Sequence, residues 1–423
     1  MIRAERRNEM VTKGTTIIKN AKVLDVETGK YNPHCDIIVE DGIISKVTPK
    51  ASENETNAEI IDVKGAAVVP GFIDCHVHVT SIFADLGELT RTAPSYVTLR
   101  TIGLMEKTLQ RGFTTVRDAG GADYGLAEAV EEGLIAGPRL IHGSKILSPT
   151  GGHGDFRPKA VFEYDNFYFQ PGAGTIVDGV TEVRKACRHE IRQGARHIKF
   201  CGCGGCMSPN DTPEMDQFSS EEIAAMVEEA NMANIYCCGH LYSARSINRA
   251  LRLGVRSIEH GNYIDDEGVE LMLEKNAFIV PTNMTDIMII EMGKELGIPD
   301  YVIEKEKRVV DAGYTAMEKA YKHNLQMAFG TDLIGADMQE YQNREFTVRS
   351  QFMPAIDIIR SATTVAAKLI RMEEQIGQVK EGFEADLLVI EGDPLEDISI
   401  LEKPEESLQV IMKGGKLYKN TYA

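Results

Sequence analysis

The sequence lacks the features that would direct a chain to a membrane or a nucleic acid. It has no run of about 18 consecutive apolar residues, so no membrane span is expected. Basic residues are in deficit, because 46 lysines and arginines face 64 aspartates and glutamates and the formal net charge is −18. A nucleic-acid backbone or an anionic membrane surface would repel that charge. We therefore expect neither partner.

The N-terminal segment lacks the apolar stretch of a signal peptide. Residues 1–13, MIRAERRNEMVTK, are basic and polar, and no apolar core follows them. We expect residues 1–14 to form a flexible extension and the protein to be cytoplasmic. The eight cysteines agree with that location, because several lie inside apolar runs, as reduced thiols do, and they form no obvious disulfide framework.

The two ends of the chain share one pattern of alternating apolar and polar residues. TTIIKNAKVLDVETGKYNPHCDIIVEDGIISKVTP alternates apolar and polar residues between turn signals, and DLLVIEGDP and LQVIMKGGKLYKN repeat that pattern near the C-terminus. A chain of 423 residues is long for one ordinary domain. We expect residues 15–66 and 376–423 to fold together as a small β-sandwich beside a larger domain.

Residues 67–375 alternate short apolar runs with helical segments. Eight runs occur in order: AAVVPGFIDCHVH, FTTVRDAG, PRLIHGS, HIKFCG, IYCCGH, VRSIEHG, AFIVPT and QMAFGTD. The helices between them carry ordinary signals, such as Ser219 and Glu222 at capping-box spacing and Gly254 after SARSINRALRL. Eight alternations with nearly continuous apolar strands predict an α/β fold, a (β/α)8 TIM barrel.

Such a barrel places its active site at the carboxyl ends of its strands. Residues two apart on a strand face the same side, so His76 and His78 of the first run can bind one cation together. Alone, this pair is weak evidence, and Asp332 alone would be interpreted as a helix N-cap. Together, however, the strand ends or strands of five runs carry six side chains suited to a metal site, namely His76, His78, Lys199, His240, His260 and Asp332.

This combination resembles the amidohydrolase superfamily of metal-dependent hydrolases. The matching segments are VVPGFIDCHVH, HIKF, GHLYS, SIEHG, FGTD and the closing EGFEADLLVIEGDPLEDI. Within the superfamily, TTVRDAGG and LSPTGGHGD are similar to the branch of prolidase-like dipeptidases, N-acyl amino acid hydrolases and ochratoxinase-type amidases. The resemblance covers nearly the whole chain, and homo-oligomers are common in that family, so a homo-oligomer is expected.

The resemblance implies a binuclear metal site. A lysine at the position of Lys199 reacts with CO₂ in that family, and the resulting N6-carboxylated lysine bridges two divalent metal ions, expected here to be zinc. His76 and His78 would hold one ion, His240 and His260 the other, and Asp332 would complete the first site. The metal pair would provide hydroxide, while Asp332 would act as the general acid and base in cleaving a peptide or N-acyl amino acid.

The resemblance also implies two residues near the substrate. His153 of GGHGD and Tyr242, two residues after His240, would bind a substrate carboxylate, although packing explains either residue nearly as well. Arg117 and Asp118 are expected to support the site or the barrel. The acidic residues Asp211, Glu214 and Asp216 could meet a basic leaving amino acid, but a solvated loop is the simpler interpretation.

Three cysteines of HIKFCGCGGCMSPND, namely Cys201, Cys203 and Cys206, raise a separate question. Their spacing would suit a thiolate metal site, but no clear fourth thiolate follows, so we expect them to pack and to bind no catalytic metal. Three alternatives to the peptidase-like function stay open. They are a cyclic amide hydrolase similar to imidazolonepropionase, a deaminase of the same superfamily, and an inactive scaffold.

Overall fold

The computed structural model describes residues 14–49, 58–157 and 174–422. Nearly all of the extension expected over residues 1–14 therefore lies outside the described residues. Within the described ranges, no helix is both long and apolar enough to cross a membrane.

The two chain ends pair with each other in one mixed sheet. Its strands are β1 (Thr15–Asp25), β2 (Lys30–Glu40), β3 (Ile43–Thr48), β4 (Glu59–Asp62), β5 (Ala67–Pro70), β16 (Leu387–Ile390), β17 (Leu408–Lys413) and β18 (Lys416–Asn420). The order is β18-β17-β16-β5-β1-β2-β3, with β4 also paired to β1. The antiparallel pairing of β16 with β5 joins the C-terminal strands to the N-terminal ones.

This end sheet has an apolar core of its own. Ile18, Ile37, Val68, Leu387 and Val410 belong to one buried cluster that draws on both ends of the chain. The ends thus associate as the alternating pattern predicted. The pairing describes a single sheet of eight strands, however, so the predicted β-sandwich is not confirmed.

The middle of the chain forms parallel sheets. Its strands are β6 (Phe72–Val77), β7 (Phe113–Asp118), β8 (Arg139–His142), β9 (Leu147–Ser148), β10 (Thr175–Ile176), β11 (His197–Cys201), β12 (Tyr236–Leu241), β13 (Ser257–His260), β14 (Phe278–Val280) and β15 (Gln326–Met327). Each of the eight predicted apolar runs contains one of these strands, and β9 and β10 are short additions after β8. All the pairings among them are parallel.

Regular pairing leaves these strands in two arcs rather than in one closed ring. One arc is β6-β7-β8 and the other is β10-β9-β11-β12-β13-β14-β15. Backbone hydrogen bonds outside the regular ladders span the two gaps: Cys75 N donates to Phe329 O and Asp332 N to His76 O, each at 2.8 Å, across one gap, and Arg196 N donates to His142 O at 2.9 Å across the other. The structure therefore has the parallel α/β arrangement that was predicted, while a continuous barrel ladder is absent from the described residues.

The first predicted strand is divided between the two sheets. Ala67–Pro70 pairs in the end sheet, and Phe72–Val77 begins the parallel arc. At Gly71, which separates them, a Cβ atom would lie 2.1 Å from Thr114 Oγ1. A residue without a side chain is therefore needed where the chain passes from one sheet to the other.

Helices connect the parallel strands and cover them. Within the described residues they are Leu86–Leu89, Pro94–Gln110, Tyr124–Glu131, Val180–Arg192, Ser220–Met232, Ala244–Arg252, Asp266–Lys275, Asn283–Met292, Asp300–Lys322, Ala336–Gln339, Arg344–Ser350, Ala355–Ser361, Thr364–Leu369 and Pro404–Ser407, with a 3-10 helix at Ile398–Glu402. The predicted capping box of Ser219 and Glu222 is confirmed. Gly254 follows Ala244–Arg252 with a φ of 94°, as predicted for a helix stop.

Candidate metal centre and active site

One cavity lies where the parallel strands end, and we call it the mouth cavity. About 780 Å³ of empty space lies between its walls, part of it open to solvent. All eight residues that the sequence analysis placed at the site line it, namely His76, His78, His153, Lys199, His240, Tyr242, His260 and Asp332. The fold thus brings together side chains that lie up to 256 positions apart in the sequence, from 76 to 332.

Asp332 lies among three imidazoles. Its Oδ1 atom is 3.1 Å from His78 Nε2 and 3.5 Å from His76 Nε2, and its Oδ2 atom is 3.8 Å from His260 Nδ1. Ligand atoms of His76, His260 and Asp332 all lie within 4.8 Å of one another. Two nitrogens and a carboxylate oxygen at such separations form a donor set that suits a divalent cation.

Lys199 is buried in the middle of β11, with 2% of its surface exposed. Its Nζ atom lies 3.4 Å from His76 Nε2. Among the residues that the structure describes, no carboxylate is within ion-pair distance of this amine. A buried amine without an acidic partner thus lies where the sequence analysis placed the carboxylated lysine.

His240 connects the metal ligands to the two predicted substrate residues. Its ring centroid is 4.4 Å from that of His260 and 4.2 Å from that of His153, which stacks on it. The Tyr242 ring lies nearly parallel to the His260 ring, with centroids 5.0 Å apart. His153 and Tyr242 therefore both contact the metal-binding imidazoles from the cavity side.

A layer of polar contacts outside the cavity orients the first two imidazoles. His76 Nδ1 lies 2.7 Å from Glu259 Oε2, and the same oxygen accepts a hydrogen bond from Arg117 Nη2 at 2.6 Å. His78 Nδ1 donates to Gly120 O at 2.7 Å. Asp118 holds that turn by accepting from Gly120 N at 2.9 Å. Contacts of this kind leave the Nε2 atoms of both rings facing the centre of the site.

Glu259 is the supporting residue that the sequence analysis missed. It is completely buried and precedes His260 in the strand segment SIEH. A carboxylate inside an apolar strand is rare unless it is paired, and that rarity is the signal that could have identified it. Arg117 and Asp118, in contrast, occupy the supporting positions that were expected.

The protonation states of three of the four imidazoles suit metal binding, whereas for His78 burial lowers the pKa but the hydrogen bond to Asp332 outweighs it and raises the pKa. Burial lowers the pKa of His76 to about 4 and lowers the pKa of His240 and His260 well below the ordinary value. Neutral imidazoles keep the lone pair that a metal ligand must offer. Burial also opposes the ionised form of Asp332, but His76, His78 and His260 outweigh it and hold the pKa of that carboxyl below its usual range.

Two of the candidate ligands have an unusual backbone. His260 has a φ of 68° and Asp332 a φ of 54°, both in the left-handed region that non-glycine residues seldom adopt. His260 is the last residue of β13 and Asp332 lies five residues after β15, and both residues line the mouth cavity. Strain of this kind concentrates at functional sites, where surrounding contacts keep it in place.

Buried atoms without a hydrogen-bond partner indicate whether these residues fit a metal ion. His240 Nε2 and His260 Nε2 are buried and have no hydrogen-bond partner among the described residues. Buried polar atoms are nearly always paired, so an unpaired nitrogen in a polar cavity needs an explanation. A divalent cation would accept both lone pairs, and the donor set therefore fits the metal that the sequence predicted.

The three cysteines of the segment after β11 pack beside the site. Cys201, Cys203 and Cys206 are free thiols with at most 2% of their surfaces exposed. The Cys203 thiol accepts from Tyr242 N at 3.0 Å and lies 3.7 Å from His240 O, so it fastens this loop to β12. These contacts agree with the packing interpretation.

A glycine in the same loop allows its close approach to the histidines. At Gly205, a Cβ atom would lie 2.6 Å from His240 Nε2 and 2.4 Å from His153 Cε1. Lys305 Nζ holds the loop from outside by donating to Ser208 O at 2.7 Å and Asp211 O at 2.6 Å. Gly205 thus lets the loop backbone lie against the two rings, while Cys206 and Met207 of the same loop line the mouth cavity.

One residue of the acidic loop is buried, although we expected the whole loop to be exposed to solvent. Glu214 pairs with Arg308 and Asp216 with Arg245 at the surface. Asp211, however, is 3% exposed, accepts from Gln217 Nε2 at 2.6 Å, and has its Oδ1 atom 3.7 Å from His153 Nδ1. Asp211 therefore supports the loop and His153 from the inside.

Comparison with known proteins places this site in a family. Residues 67–417 match the model of the amidohydrolase family. The chain is similar to ochratoxinase of Aspergillus niger, with 34% identity over 368 residues that cover 83% of this chain and 75% of the relative.

Two solved structures extend the likeness. A prolidase complexed with N-methylphosphonate-L-proline has 41% identity and a TM-score of 0.94, covering 96% of this chain and all of that one. A Xaa-Pro dipeptidase with bound methionine has 30% identity and a TM-score of 0.85, over 96% and 100% of the two chains. The chain therefore belongs to the amidohydrolase family and is an enzyme of its prolidase- and ochratoxinase-like branch.

Proposed function

We propose that this amide hydrolase cleaves dipeptides or N-acyl amino acids at a pair of divalent metal ions, expected to be zinc, bridged by carboxylated Lys199. The observation that carries the proposal is the meeting of four imidazoles, one carboxylate and one amine without an acidic partner in a single cavity. The relatives named ochratoxinase, prolidase and Xaa-Pro dipeptidase support the same substrate class.

The ligands divide between the two ions according to the strands that carry them. His76, His78 and Asp332 would hold one ion, since their ligand atoms lie close together. His240 and His260 would hold the other through nitrogens that otherwise have no partner in the described chain. A carbamate on Lys199 would add two oxygen ligands beside His76.

The residues of the chain have separate tasks in the reaction. When bound, the metal ions would supply Lewis-acid activation of a water molecule and of the scissile carbonyl. Asp332, kept ionised by the imidazoles around it, can accept the proton of the attacking water on a carboxylate oxygen and pass it to the leaving amine. Glu259 and Arg117 keep His76 oriented during these steps.

Tyr242 and His153 are proposed to bind the C-terminal carboxylate of the substrate. Burial raises the pKa of Tyr242 well above its ordinary value, so the phenol stays protonated and can donate a hydrogen bond. The ring of His153 borders the same cavity, and its Nδ1 atom faces Asp211 Oδ1 at 3.7 Å. Both side chains are therefore available to a carboxylate placed above His240.

Several broader expectations belong to the same proposal. We propose that the eight strands form a ring, which the hydrogen bonds at its two gaps close. The barrel domain would cover residues 67–375, and the end domain would cover residues 15–66 and 376–423. Both agree with the sheets described above. A homo-oligomeric state and a cytoplasmic location remain predictions, and the partner proposed for the cavity is a small-molecule substrate.

The test is a substrate panel on the metal-replete enzyme. It contains dipeptides and N-acyl amino acids with the C-terminal residue varied, together with cyclic amides and amines. We expect turnover of the first two classes, and we expect Asp332→Asn to keep its metal but lose roughly a thousandfold in kcat. Asp337→Asn, at an exposed position five residues later, is the matched control. Turnover confined to cyclic amides or amines, or a near-normal rate in Asp332→Asn, would contradict the proposal.

A further inference from the structure

The loop that follows β11 borders the mouth cavity, and we call residues 202–218 the cysteine loop. Gln217 Oε1 accepts a hydrogen bond from His153 N at 3.0 Å. The backbone of Gly205 lies so close to the His240 ring that a Cβ atom would come within 2.6 Å of Nε2. The position of this loop therefore affects a candidate metal ligand and a residue proposed to bind the substrate.

One lysine holds the middle of the cysteine loop from outside. Lys305 is partly buried and lies on the helix Asp300–Lys322. Its Nζ atom donates to three carbonyl oxygens of the loop, those of Gly205, Ser208 and Asp211, at 3.3, 2.7 and 2.6 Å. An ammonium has three N–H donors, so these carbonyl groups use all of them.

The amine of Lys305 pairs with neither of two acids on the same and the neighbouring helix. Glu306, the next residue, and Asp286, on the helix that packs against it, are each 2% exposed. Glu306 Oε2 has no hydrogen-bond partner among the described residues, and Asp286 Oδ2 accepts from Asn262 Nδ2 at 3.4 Å. Losing the three carbonyl contacts would leave a partly buried ammonium without a hydrogen-bond partner, which is costly. Lys305 is thus bound to the loop alone.

The contacts of Lys305 reach His153 through Asp211. The Asp211 side chain is 3% exposed, and its Oδ2 atom accepts from Gln217 Nε2 at 2.6 Å. Its Oδ1 atom accepts from Gly205 N at 3.2 Å and lies 3.7 Å from His153 Nδ1. Lys305 therefore fixes the backbone of the residue whose side chain borders the His153 ring.

We propose that Lys305 is a positioning residue, whose ammonium holds the cysteine loop so that His153 faces the carboxylate of the substrate. The inference rests on the proposed function, because it gives Lys305 a task in binding that substrate. Lys305 is not among the described residues that line the mouth cavity, so it acts only through the loop. Misplacing a group that binds substrate and transition state equally raises KM and leaves kcat nearly unchanged.

The first test separates KM from kcat. In metal-loaded Lys305→Ala, KM for a dipeptide or N-acyl amino acid that the wild type hydrolyses should rise at least about tenfold, while kcat stays within about threefold. The metal content should equal that of the wild type. Lys307→Ala is the matched control, because Lys307 lies on the same helix and pairs with Glu304 at the surface. An unchanged KM, or a loss of metal from Lys305→Ala, would overturn the proposal.

Chemical rescue distinguishes positioning from packing. Added n-propylammonium has the atoms that Lys305→Ala removes beyond Cβ, and it offers three N–H donors to the same carbonyl groups. It should return KM saturably to within about threefold of the wild-type value, because the loop is held again. Tetramethylammonium, a cation without an N–H donor, should leave KM high. Equal effects of the two cations, or no effect of either, would contradict the role of the three hydrogen bonds.

Hydrogen exchange tests the same contacts without substrate. Inside the loop, Gly204 N donates to Met215 O at 2.8 Å and Gln217 N to Gly202 O at 3.0 Å. In Lys305→Ala these two amides should exchange at least about tenfold faster, and n-propylammonium should slow them again. Amides of β1 are the internal reference, and an equal acceleration there, or none in the loop, would overturn the proposal.

The two hypotheses fail differently. If no dipeptide or N-acyl amino acid is hydrolysed, the proposed function fails, and hydrogen exchange still decides whether Lys305 fixes the loop. Hydrolysis by Lys305→Ala with the KM of the wild type refutes only the positioning role.

Discussion

Two cavities contain similar polar groups, but these groups are paired in one cavity and several are unpaired in the other. The first is a cavity between the end sheet and the parallel strands, and the second is the mouth cavity. The first, which we call the junction cavity, is lined by Arg139, His142, Glu384 and Lys413 among others. There Arg139 donates to Thr115 Oγ1 and to Asp386 Oδ2, each at 2.7 Å, and forms an ion pair with Glu384. In the mouth cavity, by contrast, His240 Nε2, His260 Nε2 and Glu306 Oε2 have no partner within the described residues.

The difference shows what identifies a site in this chain. The junction cavity has the larger empty volume, about 2960 Å³ against about 780 Å³. Its principal charges nevertheless neutralise one another and fasten the two sheets together. Unpaired buried atoms, not volume, distinguish the mouth cavity, because only a ligand can compensate them.

The largest effect is expected where an unpaired group of the mouth cavity is removed. Lys199→Ala should lose the bridging carbamate, at least one metal ion per chain and more than about a thousandfold in kcat/KM. Metal analysis and steady-state kinetics measure both quantities.

The control for that change comes from the junction cavity. Lys413 is a largely buried lysine whose Nζ atom donates to Gly137 O at 2.5 Å. Lys413→Ala should lose stability but keep its metal and its rate. If both lysine variants lost metal equally, the distinction between the two cavities would be wrong.

A smaller effect on stability is expected from Arg139→Met. This change leaves Asp386 and Glu384 without their cation, which should lower the free energy of unfolding by about 3 kcal/mol while kcat stays within about threefold. Urea denaturation and kinetics are the measurements. Arg188→Met removes a more exposed ion pair with Glu229 and should lower the free energy of unfolding much less. Equal costs would show that burial does not strengthen the junction pair.

The pH dependence of stability should reveal His142, which lines the junction cavity. Burial lowers its pKa to about 4, against an ordinary value near 6.5, so the folded state binds fewer protons than the unfolded state between these pH values. Its contribution is therefore fully present above about pH 6.5 and is lost as the pH falls towards 4. His142→Gln should flatten the fall in unfolding free energy over that window by about 2 kcal/mol. Parallel wild-type and variant profiles from urea denaturation would contradict this assignment.

The smallest effect is expected from the cysteines beside the mouth cavity. Replacing Cys201, Cys203 and Cys206 together by serine should leave about two metal ions per chain, since imidazole, carboxylate and carbamate ligands fill both sites. A serine hydroxyl can still accept the hydrogen bond that Cys203 receives from Tyr242 N. Loss of either ion in metal analysis would mean that a thiolate belongs to the mouth cavity after all.

Sequence reasoning predicted that the candidate metal ligands meet in one cavity, because they follow a simple positional rule. His76, His78, His240 and His260 lie at strand ends, and parallel strands bring their carboxyl ends to one edge of the sheet. It missed Glu259, Asp286 and Glu306, because the strand or helix pattern around each of them gives no indication of its partners. It also predicted that Asp211 is exposed to solvent, although that side chain is buried below the loop.

The sequence by itself determined the alternation of strands and helices, the pairing of the two chain ends and which side chains are candidates for a metal site. These features follow from local periodicity and from the types of side chain at given positions in the sequence. Only the tertiary structure decided that the strands pair in two arcs, that the first run divides at Gly71, and which buried atoms find partners. Whether a buried polar atom is satisfied depends on contacts between residues far apart in the chain, and no local pattern records those contacts.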